Sequence, residues 1–132
     1  MRARILVGAA VLVGLFGVSA LATRGDNAGP ARRWAIVNFT SPVQLDDQFL
    51  MGQYLFVHDD AKMARGEACT SIYRFDPKTG PKEEVIAFHC RPVTRDVCAI
   101  ATFTVKDRGP EIPVLTEYQF AGDTEGHGVP TK

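Results

Sequence analysis

Between residues 34 and 120 apolar and polar positions alternate with a period of two, the spacing of strands whose successive side chains face opposite sides of a sheet. Trp34, Ile36 and Asn38 share one face and Ala35, Val37 and Phe39 the other, so this first segment reads as buried on both sides. Ser41-Pro42 interrupts it, Val43-Gln44-Leu45 resumes it, and Asp46-Asp47 turns the chain. Further strands are predicted over 49–57, with Gly52 as a bulge, and over 72–75, 85–90, 97–105 and 114–120. Breakers separate them: Asp76-Pro77-Lys78-Thr79-Gly80-Pro81, Arg91-Pro92 and Arg108-Gly109-Pro110.

Helical signal is confined to Ala61-Lys62-Met63-Ala64-Arg65, which Asp59-Asp60 would cap and Gly66 would stop, and a piece this short reads as one turn or an ordered loop. Short strands with no long helix to cover a parallel sheet predict an all-β domain. The expected form is an antiparallel β-sandwich of immunoglobulin-like type, with a partly open barrel as the alternative. Phe49, Tyr54, Phe56, Phe75, Phe88, Phe103 and Phe120 fall mostly at strand spacing and are expected in its core.

The ends of the chain differ from this body. Arg2 and Arg4 precede an apolar run over 5–18, and Ala20-Leu21-Ala22 sets small residues where a signal peptidase reads. Residues 1–22 therefore read as a signal peptide cleaved after Ala22, giving a secreted or periplasmic protein with no membrane association after cleavage. A retained anchor fits less well, because a spanning helix needs about 20 apolar residues and this run is broken by Gly8, Gly14 and Gly17. Residues 23–31 read as a flexible leader, 32–121 as the folded domain, and the Gly-, Pro- and charge-rich 122–132 as a flexible C-terminal tail.

Composition then narrows the function. The chain has 132 residues with 15 Lys+Arg and 15 Asp+Glu, which fits one domain. Its isoelectric point near 6.8 argues against a general nucleic-acid binder. Three cysteines in an oxidising compartment allow one bridge and one spare thiol. Pairing Tyr73 with Ile86 in a hairpin around the 76–81 turn sets Cys69 opposite Cys90, so Cys69–Cys90 is the expected disulfide. Closing its loop of about 22 residues would stabilise by roughly 3 kcal/mol. Cys90–Cys98 is the second choice, because the apolar face of Val97, Ala99, Ala101, Phe103 and Val105 turns Cys98 to the other side, and no bridge is the third.

For chemistry, His58, His89 and His127 supply metal-ligand types, His89 near solvent on the face opposite the disulfide and His127 in the tail. They match no compact motif: the chain has no C-x-x-C, no His-x-x-x-His and no EF-hand loop. Ser41 and Ser71 lie outside any Gly-x-Ser-x-Gly elbow, and Asp46-Asp47, Asp59-Asp60 and Glu83-Glu84 are adjacent acids at strand ends rather than acid/base dyads. With no phosphate loop either, the chain reads as no enzyme and as needing no cofactor. Trp34 and Tyr118 are the aromatic candidates for an exposed contact with carbohydrate or a protein partner.

Phe39-Thr40-Ser41-Pro42-Val43-Gln44-Leu45 followed by Phe49-Leu50-Met51-Gly52-Gln53-Tyr54-Leu55-Phe56 resembles a pattern of small exported bacterial proteins of Acidobacteria type. In these an F-x-x-P-V-like strand precedes an L-P-A-G-x-Y-x-F-like strand; here Met51 replaces the small residue and the second Pro is absent. The resemblance implies export and a single β-sandwich, and carries no site. The expected function is a binding or structural module, with a metal-binding or redox protein built on His and Cys as the alternative.

Overall fold

A computed structural model of the chain describes residues 2–5 and 32–130. Residues 1, 6–31 and 131–132 lie outside the described residues, and with them most of the expected signal peptide and all of the expected leader 23–31, whereas 122–130 of the expected tail lie within them. The described chain is almost wholly strand: β1 (Arg2–Ile5), β2 (Arg32–Leu45), β3 (Gln48–Asp59), β4 (Thr70–Asp76), β5 (Gly80–Phe88), β6 (Arg91–Thr94), β7 (Thr102–Arg108), β8 (Glu111–Gln119) and β9 (Glu125–Gly128), with one helical turn, α1 (Asp60–Ala64), after β3. No helix among the described residues is long and apolar enough to cross a membrane.

The strands form one sheet in the order β1-β7-β8-β2-β3-β4-β5, and β9 pairs with both β8 and β6. All pairings are antiparallel except β2 with β8, which meet in parallel at Gln44 and Val114 and make the sheet mixed. The sheet is not flat. β3 and β7 are three strands apart in the order, which would separate them by about 14 Å in a flat sheet, yet the Phe56 and Phe103 rings are 5.1 Å apart. Likewise Tyr118 on β8 hydrogen-bonds through its hydroxyl to Thr70 on β4. The two halves therefore fold over each other around a shared core, as the layers of a sandwich do. Phe39, Phe56 and Phe103 pack edge-on or tilted at its centre.

Several sequence expectations reappear with physical detail. Trp34 to Phe39 is mostly buried on both faces, and the β2–β3 register shifts between Phe39 and Val43, around Ser41-Pro42. Gly52, opposite Phe39, has φ +96°, a backbone state open to glycine at little cost. The Asp59 side chain accepts from the amides of Ala61 and Lys62 to start α1.

Others need correction. Arg91-Pro92 is not a breaker but the start of β6, where a proline is tolerated because β6 pairs on one side only, with β9. The expected strand at 97–105 begins only at Thr102, leaving Val97 exposed and Cys98 in a loop. Phe49 is exposed rather than in the core. Residues 125–129 are not a flexible tail: β9 joins the sheet, the Val129 amide donates to the Thr116 carbonyl at 2.9 Å, and the Val129 side chain is buried.

Candidate functional site

Side-chain alternation along β3 points Tyr54, Phe56 and His58 to the same face, so the run of core aromatics ends in a histidine. His58 lies between Arg33 on β2 and Thr70 on β4. On β9 the same alternation directs His127 inward between Gly126 and Gly128, with Tyr118 of β8 as its ladder partner. At Gly126 a Cβ would stand 2.5 Å from Glu117 Oε2 and would have to displace a carboxylate that Arg95 holds at 2.7 and 2.9 Å.

Cys69 and Cys90 sit just beyond the ends of the β4–β5 ladder. The Asp59 amide donates to the Cys69 carbonyl at 2.9 Å, fixing one, and the other lies in the two-residue link between β5 and β6. The sequence register is one residue off: Thr70 faces Phe88 and Ile72 faces Ile86, with shifts beyond Ile72. The two thiols meet nonetheless, because neither belongs to the ladder whose register was counted. Both cysteines are free, their Sγ atoms 2.9 Å apart against about 2.05 Å for an S–S bond, and the Cys90 amide donates to Cys69 Sγ at 3.3 Å.

These elements bring four donors together at one end of the sandwich. The ligating atoms of His58, Cys69 and Cys90 lie within 4.8 Å of one another. His127 joins them through Nδ1, 3.6 Å from Cys90 Sγ, and its ring lies 4.3 Å from that of His58. His58 and His127 are 0% exposed, Cys69 3% and Cys90 8%. Tyr118 stacks on His127 at 4.8 Å and Phe120 closes on its edge at 5.6 Å. Neither ring nitrogen of His58, nor Nε2 of His127, makes a hydrogen bond. Asp60 Oδ1 stands 3.2 Å from His58 Nδ1 and Glu125 Oε1 3.8 Å from His127 Nδ1, both outside hydrogen-bond geometry.

Above the quartet, Arg33 gathers three carboxylates: Asp123, Asp60 at 3.1 Å and Glu125 at 3.9 Å, with its guanidinium over the Phe120 ring. These charges line a cleft of about 440 Å³ that also includes Met63. Burial and then the Arg33 charge lower the His58 pKa, and burial, His58 and Arg33 together bring His127 down to about 3, so both imidazoles are neutral near pH 7. Burial and the neighbouring Cys69 push the Cys90 thiol up to about 12, and burial raises Tyr118. Two neutral imidazoles and two thiols, almost wholly shielded from water, form a borderline-to-soft N₂S₂ donor set.

Of the expected metal histidines, the fold brings His58 and His127 together and leaves His89 exposed outside the cluster. Tyr118 is 1% exposed and cannot serve as a surface contact, since its position between Phe56 and His127 places it in the core. Trp34 is half-buried against that core. Cys98 donates to the Phe120 carbonyl at 3.4 Å and lines a separate cleft of about 350 Å³ with Arg95 and Glu117. Cys69 and Cys90 were expected as each other's partners, not as ligands alongside histidine. The signal for that was the alternation Tyr54, Phe56, His58, which marks His58 as a core residue.

Comparison of the chain with protein families, curated proteins and solved structures finds no match. The functional reading therefore rests on the chemistry of the site.

Proposed function

We propose that this chain is an exported, secreted or periplasmic β-domain that binds a transition-metal ion, zinc first, through Cys69, Cys90, His58 and His127. The observation that carries the reading is the pair of buried imidazoles with unpartnered nitrogens beside two buried thiols. An unsatisfied buried polar atom costs about 1–3 kcal/mol, and a bound ion would take up one nitrogen of each imidazole. Two ligands on one zinc are at most about 4.6 Å apart, so His58, Cys69 and Cys90, within 4.8 Å of one another, need only small side-chain adjustments, and His127 Nδ1 stands 3.6 Å from Cys90 Sγ. Two thiolates neutralise a divalent charge, which suits a site this deeply buried. Four protein ligands close the shell, favouring a structural or carried ion over a hydrolytic centre. Export is supported by the Arg2/Arg4 n-region, the apolar run and Ala20-Leu21-Ala22. The rival reading as a binder of carbohydrate or a protein partner loses support with Tyr118 in the core.

Elemental analysis of reduced, untagged protein tests the metal reading. One zinc per chain is expected, together with thiolate charge-transfer absorption after cobalt substitution. Cys69→Ser and His127→Ala should lose the ion and His89→Ala should keep it. Folded wild-type protein with neither stoichiometric zinc nor a cobalt spectrum overturns the proposal, whatever the variants do.

A further inference from the structure

We infer that Cys69 and Cys90 form a peroxide-sensitive release latch, in which the two sulfurs hold either the ion or each other. The inference rests on the metal-binding reading above. Its own support is geometric. The Sγ atoms are in contact at 2.9 Å before any oxidation, and the Cys90 amide donates to Cys69 Sγ, holding the pair in register. The third thiol is occupied elsewhere, with Cys98 donating to the Phe120 carbonyl. Little motion therefore separates two sulfur ligands from one disulfide, and the disulfide leaves only the two neutral imidazoles to hold a divalent cation.

The step balances with a hydroperoxide as oxidant. One thiolate attacks a peroxide oxygen, the O–O bond breaks, and the departing hydroxide takes up a proton as water, leaving a sulfenic acid. The second thiolate attacks that sulfur, the S–S bond forms, the S–O bond breaks, and a second hydroxide is protonated. With hydrogen peroxide, two thiolates and two protons give one disulfide, two waters and the freed cation. The two electrons lost by sulfur are those gained by peroxide oxygen. Cysteines with 3% and 8% exposure admit an oxidant of this size more readily than another protein's disulfide.

Zinc-loaded wild type and Cys98→Ser are treated with hydrogen peroxide while a chromophoric chelator reports free zinc and non-reducing peptide mapping reports linkage. One zinc released per Cys69–Cys90 disulfide in both proteins, with recovery of zinc binding after dithiothreitol, is the expected result. Zinc retained through oxidation, or zinc lost while Cys69 and Cys90 appear as sulfinic acids or linked to Cys98, overturns the latch and leaves the metal site standing. Wild type that carries no zinc before oxidation overturns both.

Discussion

Tyr118 is the residue in which core and site meet: its ring stacks on His127 and its hydroxyl bonds to Thr70 across the sandwich. Tyr118→Phe keeps the ring and removes one of the buried Thr70 hydroxyl's partners, Cys90 remaining, so it should cost about 0.5–1.5 kcal/mol in urea unfolding, with the cobalt spectrum of the site unchanged. A spectrum lost together with that modest cost would mean that the hydroxyl positions the donors directly. At this scale the sequence was legible in part. Cys69 and Cys90 were read as neighbours, and they are, but from a register one residue off the real one. His58 stands in the sequence as one of three scattered metal-ligand types, although its two-residue spacing from Phe56 already aims it inward. His127 is legible as a metal-ligand type but not as a core residue, because flanking glycines remove the apolar partners from which alternation is read.

Among the elements, the short α1 matters for where it puts Asp60. Its start is fixed by the Asp59 cap, and it carries Asp60 to His58 and Arg33. Asp59→Ala should lower stability by about 1 kcal/mol, measured by urea denaturation, while zinc stoichiometry holds, since Asp59 is not among the donors. Gly52→Ala, at φ +96° with open space around it, should cost about 1 kcal/mol through backbone strain alone; no loss would mean that the β2–β3 bulge relaxes. The long strands β2, β3 and β8 were visible because their alternation runs for several residues. β6 and β9 were not, because each has four residues and their proline and glycines carry the signature of turns. What makes them strands is pairing with each other and with β8, a long-range fact that no local window holds.

For the molecule as a whole, the two buried histidines tie stability to acidity. Folding lowers the pKa of His58 and His127 below 6.5, so the unfolded chain binds more protons than the folded one as the pH falls below that value. The metal-free protein should therefore keep this part of its stability above pH 6.5 and lose it progressively toward pH 3, read as a falling urea midpoint. Zinc should raise the midpoint at pH 7.5 and do so less at pH 5, since protons compete for its ligands. The C-terminus gives the last test. Residues 122–132 look dispensable by composition, yet they hold Asp123 and Glu125 against Arg33, His127 in the site, β9 between β6 and β8, and the buried Val129. Deleting 122–132 should unfold the domain or lower its melting temperature by more than 10 °C, because a change of about 1 kcal/mol moves a domain of this size by roughly 4–8 °C and burial of Val129 alone contributes about 1.5–3 kcal/mol. If the shorter chain folds with an unchanged melting temperature, β9 is an appendage to the sandwich and His127 is not needed to complete its core.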